Sequence, residues 1–103
     1  MVSAGDENQA IAPITPAQIR AARGLLNWSV SELAEQTGLA MNTVRKAEDA
    51  RHFRSLNKPN AALLKSTLEA AGVVFISADT QGAGARLRDP GFEPMGLRRS
   101  VST

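Results

Sequence analysis

Apolar residues between positions 14 and 72 recur at helical intervals, and each run opens on a residue able to cap a helix. In "ITPAQIRAARGLLN", Ile19, Ala22, Leu25 and Leu26 share one face. Thr15 caps with its hydroxyl, Pro16 suits the first helical position, Gln18 completes a capping box, and Asn27 ends the run. A second start follows in "WSVSELAEQTG". Ser29 caps and Glu32 closes the box, Leu33 and Ala34 point inward, and Trp28 packs across the first turn. Gly38 can take the left-handed conformation that closes a helix. After Leu39 a third helix is expected from Ala40 or Met41 to about Asp49, with Val44 and Ala47 inward. The polar, basic stretch 50–58 reads as a loop. "NKPNAALLKSTLEAAG" then predicts a fourth helix, capped by Asn57 or Asn60, with Leu63, Leu64, Thr67 and Leu68 on its faces and Gly72 at its end.

The period changes at "VVFIS" (73–77), where β-branched and aromatic residues in a short run signal a strand. "ADTQGAG" is a turn-rich connector, and "ARLR" (85–88) can pair back. A two-stranded hairpin is marginal alone in water, so it either packs on the helices or pairs with the same hairpin of a second copy. The second arrangement makes Val73, Val74, Phe75 and Ile76 a candidate dimerisation strip and a homodimer the expectation. Residues 1–13 are small, polar and aperiodic, and 89–103 are rich in Pro and Gly. Both read as disordered tails around a helical body at 14–72 and a hairpin at 73–88.

Composition narrows the function classes. The 103 residues include no cysteine and one histidine, His52, which leaves neither a disulfide framework nor a Cys/His metal cluster, so no metal and no cofactor is expected. No Gly-rich phosphate loop and no nucleophile beside a base is present, and the expectation is a non-enzyme. No apolar run approaches the ~20 residues that span a bilayer. The N-terminus also lacks the basic and apolar regions of a signal peptide, so no membrane association and a cytoplasmic location are expected. The formal net charge is only +2, yet 41–58 sets Arg45, Lys46, Arg51, Arg54 and Lys58 against Glu48 and Asp49. That local basic excess suits a polyanion; the competing reading is an ordinary solvated surface.

Two short helices joined by a tight Gly-containing turn form a helix-turn-helix. Here the brace is "VSELAEQTG" and the reader "LAMNTVRKAED". The stretch "ITPAQIRAARGLLNWSVSELAEQTGLAMNTVRKAED" resembles the Cro/C1-type helix-turn-helix of the XRE family, phage repressors and bacterial regulators. The resemblance rests on Arg20, Arg23, the Trp28-Ser29 entry, "SELAEQTGL", Val44 and Glu48. "LEAAGVVFI" with "GARLR" is similar to a subgroup of small regulators ending in a short hairpin. Together they cover roughly 15–88. The fold implied is mostly α: a compact four-helix DNA-binding domain of the repressor/Cro type with a short C-terminal β-hairpin.

The resemblance also implies roles. Arg23 and Glu48 stand where the family forms a partly buried ion pair between first and third helices. Met41, Asn42 and Thr43, with Arg45 or Lys46 a turn later, stand at the base-reading positions. Asn suits adenine, Thr a thymine methyl or phosphate, Arg and Lys guanine, and Met only a thymine methyl. Two departures remove backbone contacts: Ala40 offers no cap, and Val30 replaces a phosphate-holding glutamine. Phosphate contact then falls to helix N-terminal amides, Ser29, Arg51, His52, Arg54 and Lys58. The expectation is a sequence-specific regulator, a repressor binding a palindromic site on double-stranded DNA as a dimer. The alternative is an antitoxin-like interaction module with a small protein partner, whose DNA binding serves autoregulation.

Overall fold

A computed structural model describes residues 14–52, 57–91 and 94. The expected tails lie almost wholly outside the described residues, as does Arg54. Helix α1 runs Pro16–Leu26. Thr15 Oγ1 accepts from the Gln18 N–H at 3.1 Å, and Gln18 Oε1 accepts from the Thr15 N–H at 2.9 Å, which completes the capping box. Asn27 closes the helix with a left-handed backbone (φ 62°), a conformation that asparagine tolerates better than other residues with a Cβ. Its successor Trp28 returns its N–H to the Arg23 carbonyl at 2.9 Å, so the chain turns back along α1.

Helix α2, Val30–Thr37, starts on a second reciprocal box between Ser29 and Glu32 and stops at Gly38 (φ 79°). Helix α3 spans Met41–Ala47 and α4 spans Lys58–Ala70. Asn57 rather than Asn60 caps α4, its side chain accepting from the Asn60 N–H at 2.8 Å. Helix α3 ends two residues before the expected Asp49. The Glu48 N–H reaches the Val44 and Arg45 carbonyls together, and Asp49 leaves the helix to form a turn with Arg51. Strands β1 (Val73–Ile76) and β2 (Gly84–Leu87) are antiparallel, with Val73 opposite Leu87 and Ile76 opposite Gly84. Each strand begins and ends within a residue of the expected limits.

The core gathers Ile14, Ile19, Ala22, Leu26, Trp28, Leu33, Ala34, Val44, Ala47, Leu64, Leu68 and Val73. Leu25, expected inward, is only half-buried beside the fully buried Leu26. Helices α2 and α3 pack on each other, and the hairpin packs on α1 and α4. The dimerisation strip therefore divides. Val73 is 1% exposed and Phe75 packs against the core, whereas the alternate residue Ile76 is 41% exposed. Because strand side chains alternate, Val73 and Phe75 serve this chain's own core, and Val74 and Ile76 form the outer face. No helix among the described residues is long and apolar enough to cross a membrane.

Gln18 holds the hairpin to α1. Its Nε2 donates to the Ile76 carbonyl at 3.0 Å and to the Gly84 carbonyl at 2.9 Å, while its Oε1 remains in the capping box. Both donors and the acceptor of a side chain on a 6% exposed residue are thus used. Gln18→Ala should lower the unfolding free energy by about 2–3 kcal/mol, because it strands two carbonyls and one N–H. An unchanged urea midpoint for that variant would show that the hairpin holds without it.

Candidate nucleic-acid interface

The turn between α2 and α3 is built by two residues. Gly38 returns its N–H to the Ala34 carbonyl at 2.8 Å. A Cβ added at Gly38 would meet nothing within 4 Å, so glycine is needed there for its left-handed backbone and not for space. Thr37 does the rest: its hydroxyl donates to the Leu33 carbonyl at 2.9 Å and accepts from the Leu39 N–H at 3.2 Å. One side chain thereby joins the last turn of α2 to the entry of α3. Ala40 has extended backbone and contributes no side-chain cap.

Helix α3 has 7 residues, too few for an isolated helix to hold in water, so its contacts must hold it. Val44 and Ala47 are fully buried. Just beyond its end, the Glu48 carboxylate receives Arg23 in a two-pronged pair, Nε to Oε2 at 2.8 Å and Nη2 to Oε1 at 2.9 Å. The side chains are 23% exposed for Arg23 and 8% for Glu48. Arg23 also donates from Nη1 to the Trp28 carbonyl at 3.1 Å, and Arg20 donates to the Glu48 carbonyl at 2.5 Å. The hydrogen bond to Glu48 raises the Arg23 guanidinium above its ordinary pKa, against the opposing effect of burial.

Docking on Val44 and Ala47 leaves the other face of α3 outward. Met41, Asn42, Arg45 and Lys46 are exposed and Thr43 is half-exposed. The five base-reading candidates therefore sit on one two-turn helix, and Arg45 and Lys46 have no ion-pair partner among the described residues.

The phosphate candidates are more scattered. The Ser29 amide is occupied, donating to Glu32 Oε1 at 2.7 Å, while its hydroxyl accepts from the Glu32 N–H at 3.0 Å. That amide is withdrawn from the expected donors because a 6% exposed acid, Glu32, already fills the helix start. Of Ser29 itself, the hydroxyl hydrogen makes no bond to another described residue. Lys58 lies exposed in the first turn of α4. Arg51 and His52 both turn onto Asp49, with Arg51 Nη2 at 3.0 Å and His52 Nδ1 at 3.1 Å from Oδ2. The Arg51 side chain, then its backbone N–H, then His52 hold the Asp49 carboxyl well below the usual carboxylate range.

The Arg23–Glu48 pair is the one the resemblance implied, whereas the Asp49–Arg51 pair was not expected. Glu48 is neutralised by a cation from α1, and Asp49 by a cation already counted in the basic excess. Thr37, Gln18 and Asp49 carried no sequence signal for these second roles. Among the described residues no three His, Cys, Asp or Glu side chains lie close enough to hold a metal. An open depression of about 400 Å³ between Trp28, α2 and α4, lined by Gln36, Ser66, Thr67, Ala70 and Ala71, carries no ionisable side chain. No protein-family model matches the chain, and no curated protein is significantly similar to it.

Glu48→Ala should cost about 3 kcal/mol, since it leaves the partly buried Arg23 charge without its carboxylate. A thermal melt that superimposes on wild type would remove Glu48 as the anchor of α3.

Proposed function

We propose that the chain is a sequence-specific transcriptional regulator of the Cro/C1 helix-turn-helix type, a repressor that binds double-stranded DNA as a homodimer. One observation carries the reading. Helix α3 is fixed along one side by Val44, Ala47 and Glu48 and presents Met41, Asn42, Arg45 and Lys46 to solvent on the other. A helix held in this way against a bracing helix fits the major groove, where side chains rather than backbone read the base edges. Asn42 suits bidentate pairing with adenine, and Arg45 or Lys46 suits guanine O6 and N7. The hydroxyl of Ser29 and the exposed Lys58 supply phosphate contacts that set the register.

Selection of bound duplexes from a random pool should return a palindrome whose half-site centres lie about one helical turn, ~34 Å, apart. Asn42→Ala should relax one position of that motif, at about 1–3 kcal/mol of discrimination. Lys58→Ala should instead weaken all sequences alike and flatten the salt slope by about one. Enrichment of no motif, with binding indifferent to salt, would sink the reading.

For the dimer, the support is the outer face of the hairpin. Ile76 is exposed there, and among the described residues each strand of the two-stranded sheet has one edge that no strand pairs. Ile76→Lys should sediment as a folded monomer at concentrations where wild type sediments as a dimer. A wild-type chain that stays monomeric when bound to a palindrome would remove the hairpin from the assembly.

A further inference from the structure

Asp49 stands immediately after the proposed reading helix, with its N–H on the Lys46 carbonyl at 3.2 Å. Its Oδ1 accepts from the Arg51 N–H at 2.9 Å and from Arg51 Nε at 3.2 Å, and its Oδ2 accepts from Nη2 at 3.0 Å. The guanidinium therefore spends a two-donor edge on this carboxylate, the same fork by which an arginine grips a phosphate. No other group among the described residues holds it, and the Arg51 side chain is 83% exposed. An ion pair that open contributes little to stability, so the fold does not need it. By contrast, Arg45, Lys46 and Lys58 carry their charge without an acidic partner among the described residues. A phosphate approaching the loop after α3 meets two groups whose charges cancel.

We infer that Asp49 masks Arg51 from the DNA backbone and so lowers affinity for duplex DNA of any sequence. This rests on the DNA-binding reading above. Binding to random sequence comes almost wholly from phosphate contacts, whereas specific binding adds base contacts. Withholding one phosphate-gripping cation weakens both complexes by about the same factor, so Asp49 tunes overall affinity and its salt dependence. The basic excess in 41–58 is thereby smaller in use than in the sequence, and Asp49 is an affinity-setting residue that need not touch DNA.

Asp49→Asn tests it, because the amide oxygen can still accept from the Arg51 N–H and keep the turn while the charge is lost. Affinity for a random-sequence duplex should be followed across salt for the full-length chain. The variant should steepen the slope of log K against log salt by about 0.9 and bind on the order of eightfold more tightly at about 0.1 M salt, the weight of one added phosphate contact. In an Arg51→Ala background the same Asp49→Asn change should have little effect, since no guanidinium remains to be released. Asp49→Ser, with an oxygen but no charge, should repeat the first result if the asparagine variant melts early. An unchanged or weakened Asp49→Asn would overturn the mask, and so would an equal gain in both backgrounds, which charge removal alone produces. If neither wild type nor any variant binds duplex DNA at all, it is the DNA-binding reading that fails.

Discussion

Glu48 ends α3 with its carboxylate nearly out of water, and an ionised carboxylate in that position stands only if a cation comes to it. Arg23 comes from the last turn of α1 and brings more than charge. Its fork engages both carboxylate oxygens, its remaining nitrogen takes the Trp28 carbonyl, and its own carbonyl takes the Trp28 N–H. One side chain thus fixes the end of α3, the bend between α1 and α2, and the placement of Trp28 over the core. Helix α3 needs this because it has two turns, no side-chain cap and only two fully buried residues. Its helicity is a tertiary property, sustained from its far end and its inner face.

The same logic explains which parts of the fold were legible in the sequence. Thr15 with Gln18, Ser29 with Glu32, and Asn57 act on backbone three residues away, so their capping roles can be read from adjacent letters. Gln18 does its second job 58 and 66 residues away, at Ile76 and Gly84, and no local pattern announces that. "VVFI" is apolar at every position, which says strand but not which face is which. Only the register, with Val73 opposite Leu87 against α1 and α4, divides it. The Arg23 and Glu48 roles followed from a family resemblance rather than from periodicity. Asp49 was legible only as a negative charge, because the partner that cancels it is set by a turn.

Polar groups in the molecule sort by whether the fold consumes them. Gln18, Arg23, Glu32, Thr37 and Glu48 have their hydrogen-bonding groups engaged internally, and no buried side-chain nitrogen or oxygen lacks a partner among the described residues. Their substitution is a stability problem. Asn42, Arg45, Lys46 and Lys58 are exposed, and none of their side chains bonds to another described residue. Water is exchanged for a ligand at small cost, whereas an internal partner must first be broken. That difference supports the reading role proposed for the outer face of α3 even though the net charge of the chain is modest.

Helix α1 carries long-range fasteners to both the hairpin and the end of α3. Gln18 ties it to the hairpin and Arg23 ties it to the end of α3, and the five-residue step from one to the other rises only about 7.5 Å along the helix axis. A helix is stiff over that length, so the outer face of the hairpin and the outer face of α3 keep one fixed relation. If two copies join through Val74 and Ile76, the separation and tilt of their α3 helices follow from this path through α1. Half-site spacing would then be set by two hydrogen-bonded side chains on one helix. Loosening Gln18 would blur the spacing a dimer accepts before it altered which bases each half reads.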